Sequence, residues 1–165
     1  MTDEDHIQLS PPSEQVHVRS LAAPTSNEIG ALAEIFDLYR VHYGQAPDIG
    51  GSTGWLKRNL RAGRVSAFVA DDASRFVGFA VTVEVPASLR LGHFWQIRDL
   101  FVLTSHRRQG VGHALLTSVR AAATASGALR VVLQTEEQND PALALYVSSG
   151  YTQLSGYRTF MLPIV

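Results

Sequence analysis

The stretch that decides the fold reads Asp99-Leu-Phe-Val-Leu-Thr-Ser-His-Arg107-Arg-Gln-Gly110-Val-Gly112-His-Ala-Leu115-Leu116. An apolar run leads into a loop that carries two arginines and two glycines, and a helical pattern begins at about Gly110. Glycines let backbone N–H groups approach an anion closely, and the first turn of a helix adds unpaired N–H donors and a partial positive charge. Arg107 and Arg108 add full charges beside it. The stretch therefore predicts a buried strand, a phosphate-binding loop and a helix, in that order.

The spacing of the glycines narrows the class of phosphate ligand. The P-loop pattern Gly-x-x-x-x-Gly-Lys-Ser/Thr is absent. A dinucleotide fingerprint requires a third glycine at the position that Leu115 occupies. A nucleotide-binding protein of another fold is thus a disfavoured alternative, and the pattern that remains is Arg-x-x-Gly-x-Gly.

Upstream of this stretch, the hydrophobic pattern predicts one strand, two helices and an antiparallel hairpin. Thr25 and Glu28 have the spacing of a capping box, and Gly44 closes the helix that follows. The predicted strands are 16–21, 65–70 and 76–83, and the second predicted helix is about 54–60, with Ser52 or Thr53 as its cap.

Downstream, the pattern alternates between strands and helices. Asp140 and Pro141 are typical of a helix cap and a first helical residue, and Gly150 ends that helix. The predicted strands are 94–103, 129–135, 151–154 and 157–164, and the other helix is about 110–126. The order β-α-α-β-β-β-α-β-α-β-β predicts one α+β domain over 16–165, with helices layered on a sheet and a flexible lead-in over 1–15.

Composition excludes several classes of function. Fifteen acidic and fourteen basic residues leave a formal charge of −1, so neither nucleic acid nor a membrane surface is expected as a partner. No apolar run is long enough to span a bilayer, and residues 1–15 do not have the pattern of a signal peptide. The absence of cysteine fits a reducing cytoplasm, and the six histidines show no metal-ligand spacing. We therefore expect a cytoplasmic protein without a metal.

Two signatures resemble those of the GNAT family of N-acetyltransferases. Arg107-x-x-Gly110-x-Gly112, with the Asp-Leu-Phe-Val strand before it, is similar to the family's acetyl-CoA motif. The segment from Asn139 to Tyr151 is similar to the family's second signature, and 36–44 resembles a subgroup of small-molecule members. The resemblance spans about 16–165. It implies a three-layer α/β/α sandwich whose mixed, mostly antiparallel sheet has a splayed central strand pair flanked by helices.

The resemblance also implies acetyl-CoA as the acetyl donor. The backbone of the strand before the motif would pair with the pantetheine arm, an N–H near Val102 would polarise the thioester carbonyl, and the loop would wrap the pyrophosphate. The alternatives are a plain core strand, a solvated arginine pair and, for Asn139, a helix cap. The cofactor-binding residues implied in this way are Leu100, Phe101, Val102, Arg107, Arg108, Gln109, Gly110, Val111, Gly112, His113, Asn139, Ala142 and Tyr146.

Catalytic roles follow from the same resemblance. Tyr146 would act as the general acid that protonates the leaving thiolate, although a tyrosine on an amphipathic helix is often a packing residue. Asp99 is the preferred base and Glu84 the second, each directly or through water, and the alternative for Asp99 is a structural partner of Arg98. Three aromatic residues are candidates for lining the acceptor site: Tyr39, Tyr43 and Trp95.

Arg98 departs from a known pattern. Diamine acetyltransferases of the family often carry Glu-Asp at the positions of Arg98-Asp99. An arginine there speaks against a dicationic acceptor and favours one with a carboxylate or phosphate.

The predicted function is transfer of an acetyl group to a primary amine of a small molecule or a peptide, by direct attack in a ternary complex. The alternative is a non-catalytic acyl-CoA-binding regulatory module of the same fold. A homodimer formed through the last strands is expected from the resemblance alone.

Overall fold

The computed structural model describes residues 16–156 and 158–164, and the predicted lead-in over 1–15 lies outside them. The described residues form β1 His17–Ser20, α1 Ser26–His42, α2 Ile49–Arg61, β2 Ser66–Asp71, β3 Phe76–Ala87, β4 Gly92–Val102, α3 Val111–Ala125, β5 Val131–Val132 and α4 Asp140–Ser148. Two single-turn 3-10 helices lie at Ser88–Arg90 and Thr104–His106. No helix in the described ranges is long and apolar enough to cross a membrane.

The sheet has the strand order β1-β2-β3-β4-β5. Neighbours from β1 to β4 are antiparallel, and β5 is parallel to β4. Parallel pairing is confined to Trp95 and Gln96 opposite Val131 and Val132, whereas β4 continues to Val102. The predicted mixed, mostly antiparallel sheet with a splayed strand pair is therefore confirmed.

Two apolar clusters join the helices to the sheet, because each face of the sheet must be covered. The cluster beneath α1 and α2 includes Ile29, Leu32, Phe36, Leu56 and Phe79. The cluster beneath α3 includes Phe68, Val77, Ile97, Leu115 and Leu116, and Leu145 and Tyr146 of α4 pack against it. Full burial of such a side chain stabilises the fold by roughly 1.5–3 kcal/mol. The predicted three-layer sandwich is thus confirmed.

The capping box predicted for α1 is present. Glu28 N–H donates to Thr25 Oγ1 at 3.2 Å, and Thr25 N–H donates to Glu28 Oε2 at 2.8 Å. Further along α1, the carboxylate of Asp37 accepts hydrogen bonds from the Ser52 hydroxyl at 2.8 Å and from the Asp48 N–H at 3.0 Å. Asp37 therefore holds the end of α1 against the start of α2.

A β-bulge interrupts β4 at Arg98. Asp99 lies opposite Val81 and Ile97 lies opposite Thr82, so Arg98 has no partner on β3. A bulge shifts the alternation of side chains between the two faces of a strand. As a result, Ile97 faces α3 while Asp99 faces α1.

Some predicted boundaries are wrong. α2 begins at Ile49 rather than near Gly54, because the Asp48 carboxylate accepts the Gly51 N–H at 2.8 Å and caps the helix there. β5 contains two residues of the predicted 129–135, because β4 and β5 separate after them.

The last two predicted strands are also absent from the described residues 151–156 and 158–164. A strand needs a neighbour to which its backbone can bond. The large apolar side chains of this segment are exposed instead, namely Leu154, Phe160, Met161, Leu162 and Ile164.

Gly78 on β3 is a position where the close packing of α3 on the sheet can be tested. A Cβ at Gly78 would lie 3.2 Å from side-chain carbons of Val111 and Leu115 and 3.1 Å from the Phe101 carbonyl oxygen. We expect Gly78→Ala to lower the free energy of unfolding by about 1–3 kcal/mol. Urea denaturation would measure the change.

The control is Gly30→Ala on α1, where a Cβ would meet nothing within 4 Å. There the same substitution should raise the free energy of unfolding by about 0.5–1 kcal/mol, because alanine favours a helix interior. Equal effects of the two substitutions would contradict the packing argument.

Candidate active site

A cleft of about 1030 Å³ opens where β4 and β5 diverge. Its walls come from the end of α1, the second half of β4, the loop before α3, the loop after β5 and the first turns of α4. Of the predicted cofactor-binding residues, those that line it are Leu100, Phe101, Val102, Arg107, Arg108, Gly110, Val111, Gly112, His113, Asn139, Ala142 and Tyr146. Gln109 does not line the cleft, because its side-chain amide donates to the Ser105 carbonyl at 2.9 Å and braces the loop.

The backbone of β4 faces the cleft at alternate residues. Leu103 N–H donates to the Val77 carbonyl directly opposite at 2.9 Å. By the alternation of an antiparallel ladder, Phe101 also bonds to β3, whereas Leu100 and Val102 direct their N–H and C=O groups away from it. Leu100 and Val102 can therefore bond to a ligand in the cleft. Phe101 departs from the expected backbone role, since it offers its ring instead.

Glycine is required at the two motif positions, 110 and 112, for different structural reasons. Gly110 caps α3 at a φ of 82°, a left-handed conformation that favours glycine, and no side chain caps this helix among the described residues. A Cβ at Gly112 would lie 2.9 Å from Leu145 Cδ2, so glycine there lets α4 approach α3 closely. The N–H donors of the first turn of α3 are thus open to an anion.

The two arginines of the loop are held differently. Arg107 Nε donates to the Val102 carbonyl at 3.0 Å, and its guanidinium lies 5.6 Å from the centre of the Phe101 ring. A ligand that bonds to this carbonyl has to displace that hydrogen bond. Arg108 is exposed and has a φ of 63°, a conformation that is strained for a residue other than glycine.

Asn139 caps α4, which is the alternative that the sequence analysis gave to a contact with the pantetheine arm. Its side-chain oxygen accepts the Ala142 N–H at 3.3 Å, and its amide donates to Glu136 Oε2 at 3.4 Å. The helix begins at Asp140, so Asp140 is its first residue and not its cap, and Pro141 is the second. Asn139 also lines the cleft, where its predicted contact with the pantetheine arm stays a prediction.

Tyr146 is half-buried in α4 and lines the cleft. Burial raises the pKa of Tyr146 to about 12, with smaller contributions from Tyr43, Tyr151 and Glu136. The phenol therefore stays protonated at physiological pH and retains a proton that it can donate.

Asp99 is half-buried, and it accepts a hydrogen bond from the Tyr39 hydroxyl at 2.8 Å. Burial raises the pKa of the Asp99 carboxyl, against the opposing effects of Tyr39 and Arg98. Tyr39 lines the cleft, whereas Asp99 does not, so Asp99 is connected to the cleft through Tyr39.

The structure does not bring Glu84 or Trp95 to this cleft. Glu84 lies opposite Trp95 near the start of β4, 3.9 Å from His93, with 60% of its side chain exposed. Trp95 packs beside Phe68 in the cluster beneath α3. Glu84 and Trp95 are therefore not among the residues that line this cleft, and their predicted roles stay predictions.

Sequence reasoning missed Glu136, which lines the cleft from the loop between β5 and α4. Its own backbone N–H, followed by the Asn139 amide, lowers the pKa of the Glu136 carboxyl, so the group is anionic at neutral pH. Burial is the main cause of the raised pKa of Tyr39, Tyr43 and Tyr146, and the negative charge of Glu136 adds to it. The position just beyond the carboxyl end of a parallel strand is the signal that would have found it.

Comparisons with known proteins agree with this geometry. Residues 32–151 match the acetyltransferase (GNAT) family. An uncharacterized N-acetyltransferase of Bacillus subtilis, YhfO, is 30% identical over 139 residues, which cover 84% of this chain and 93% of that protein. The chain belongs to the GNAT family of acetyltransferases.

Solved structures extend the likeness to the whole fold. The crystal structure of a probable acetyltransferase has a TM-score of 0.82 at 27% identity, covering 90% of this chain and 98% of that one. An aminoglycoside acetyltransferase from an uncultured soil metagenomic sample, in complex with sisomicin, has a TM-score of 0.76 at 21% identity, covering 91% of this chain and 97% of that one. The second likeness concerns the fold alone. The described residues hold no group of three or more His, Asp and Glu side chains suited to a metal ion.

The burial of Asp99 predicts a pH-dependent gain in stability for Asp99→Asn. A carboxyl whose pKa is raised in the folded state binds its proton more tightly there, so its contribution to stability is lost as the pH rises through the folded pKa. Asparagine carries no charge and can still accept the Tyr39 hydrogen bond. We expect Asp99→Asn to melt at a higher temperature than the wild type at pH 8, with a difference that shrinks toward pH ~4, where the unfolded aspartate also protonates.

Tyr39→Phe is the matched control, because it removes the donor and leaves the charge. It should destabilise the protein by about 1–3 kcal/mol at pH 8. A wild type more stable than Asp99→Asn at pH 8 would show that the ionised carboxylate is stabilising, contrary to the argument.

Proposed function

We propose that the protein transfers an acetyl group from acetyl-CoA to a primary amine of a small molecule, by direct attack of the amine in a ternary complex. The observation that carries the proposal is that one cleft holds both the open N-terminus of α3 and the protonated phenol of Tyr146. Membership of an acetyltransferase family supports the same reaction.

The donor end of the cleft fits coenzyme A through backbone groups. The first turn of α3, after Gly110, would hold the pyrophosphate, and Arg108 would add charge to it. The backbone groups of Leu100 and the N–H of Val102, which point away from β3, would bond to the pantetheine arm, with the Val102 N–H directed at the thioester carbonyl.

Side chains at the acceptor end would carry out the proton transfers. Bound acetyl-CoA provides an activated acetyl group as a thioester, whose C–S bond breaks as the C–N bond to the amine forms. An ammonium with a pKa near ~10 must first lose a proton, which Asp99 would take through Tyr39 or a water. The Tyr146 hydroxyl would donate the proton that the departing thiolate takes up.

Binding and turnover separate this proposal from its alternatives. Calorimetry should show binding of acetyl-CoA in preference to NAD and ATP, and thiol release should depend on an added amine. Binding without turnover on any amine, amino acid or aminoglycoside would instead support a non-catalytic acyl-CoA-binding module.

Tyr146→Phe should lower kcat by about 10²-fold and leave the KM for acetyl-CoA near the wild-type value. A loss at the low end of general-acid effects is expected, because a thiolate with a conjugate-acid pKa near ~8.5 departs readily. Steady-state thiol release would measure it.

Tyr151→Phe is the control, since the Tyr151 ring lies 6.1 Å from that of Tyr146 and its buried hydroxyl has no hydrogen-bond partner among the residues that the structure describes. This variant should keep the wild-type rate. Equal rates for the two variants would exclude the acid role of Tyr146.

We also infer a homodimer, supported by the exposed apolar side chains of 158–164. Sedimentation should give a dimer for the full chain and a monomer for Phe160→Arg, because a charge at an apolar contact is costly. Leu89→Arg, at a fully exposed position outside this segment, should remain dimeric. A monomeric wild-type chain at all concentrations would contradict the inference.

The cytoplasmic location stays a prediction.

A further inference from the structure

The acceptor end of the cleft carries charges of both signs. Arg98 lines it from the bulge in β4, and Glu136 lines it from the loop after β5. Tyr39 and Tyr43 form an aromatic wall between α1 and the cleft, with ring centres 5.0 Å apart. An acceptor bound here meets the Arg98 guanidinium, the Glu136 carboxylate and two aromatic rings.

Arg98 is available for an anion. Its side chain is exposed to the cleft, and it makes no ion pair with a carboxylate within the described part of the chain. The carboxylate beside it, Asp99, is instead bonded to Tyr39. The guanidinium can therefore form a bidentate pair with a carboxylate or phosphate of the acceptor.

Glu136 is available for a cation. Its Oε2 accepts hydrogen bonds from the Thr135 hydroxyl and the Asn139 amide, both at 3.4 Å. A carboxylate offers about four lone-pair sites, so acceptor capacity remains. Glu136 lines the same cleft as Tyr39, Tyr43 and Tyr146, so its carboxylate can meet the ammonium of an acceptor that is bound beside these hydroxyls.

The two charges discriminate between classes of amine. A dication would meet Arg98 with a like charge, and an amine without an anionic group would leave that guanidinium unpaired. An amine that also carries an anion satisfies both sites. We propose that the acceptor is an amino acid or a similar small amine bearing an anionic group, which Arg98 binds while Glu136 holds the ammonium. This inference rests on the proposed acetyl transfer, which it makes more specific.

The first test is a set of matched acceptors. Thiol release from acetyl-CoA would be followed with amino acids, with the corresponding amides and decarboxylated amines, and with phosphoethanolamine. The amino acids should exceed their amides and decarboxylated forms in kcat/KM by about 10- to 100-fold. The activity of phosphoethanolamine distinguishes a carboxylate from a phosphate as the preferred anion.

The second test reverses the charge. Arg98→Glu should abolish the preference for amino acids and raise the relative activity toward diamines, whereas Arg90→Glu, outside the cleft, should change neither. Glu136→Gln should raise the KM for the acceptor about tenfold and leave the KM for acetyl-CoA unchanged. Glu137→Gln, the adjacent carboxylate outside the cleft, is its control.

A thermal-shift measurement tests acceptor binding in variants that are too inactive or too unstable for the kinetic assay. In the presence of coenzyme A, a preferred amino acid should raise the melting temperature of the wild type and of the milder variant Arg98→Lys, but not that of Arg98→Glu. If the rate of thiol release does not depend on the anionic group, or if Arg98→Glu ranks the acceptors as the wild type does, this inference is wrong. The proposed acetyl transfer would not be affected. No thiol release with any acceptor overturns the proposed function itself, and this inference with it.

Discussion

The early end of the parallel pairing between β4 and β5 is the constraint on which the site depends. Trp95 and Gln96 pair with β5, yet β4 continues to Val102, so the backbone groups of Leu100 and Val102 face an open cleft. Unpaired backbone groups must bond to a side chain, water or a ligand. Arg107 satisfies the Val102 carbonyl, and the remaining groups offer a strand edge to an extended ligand with amides of its own, such as a pantetheine arm.

The second constraint is the burial of a carboxylate beside that edge. The bulge at Arg98 turns Asp99 toward α1, where the Tyr39 hydroxyl donates to it. Because burial dominates this hydrogen bond and the nearby guanidinium, the pKa of Asp99 is raised. A carboxyl that costs stability in its charged form, next to a cleft, is typical of a group kept for proton transfer. The same burial that makes the charged form of Asp99 costly also raises its affinity for a proton, as the proposed role of general base requires.

Features that depend on residues close together in the sequence could be predicted, whereas contacts between residues far apart in the sequence could not. The strand, loop and helix from 99 to 125 could be predicted because their signals are local: an apolar run, glycines at positions of close approach and a helical period. The cap of α1 was predictable for the same reason. The hydrogen bond from Tyr39 to Asp99 joins residues sixty positions apart, which no local pattern encodes. That Glu84 and Trp95 lie outside the cleft lining was not predictable either, because their position along the sheet depends on the register of β3 and β4, which the pattern does not reveal.

The two ends of the cleft are accordingly built from different kinds of group. The end proposed for the donor consists mainly of backbone, namely the edge of β4 and the first turn of α3, and it is nearly contiguous in sequence. The end proposed for the acceptor consists of side chains from α1, the bulge, the loop after β5 and α4. Replacing a side chain alters a charge without moving a strand or a helix terminus. Substitution at Arg98 or Glu136 should therefore change which amine is bound while the donor end stays intact, so the motif that identifies the family carries little information about its acceptor.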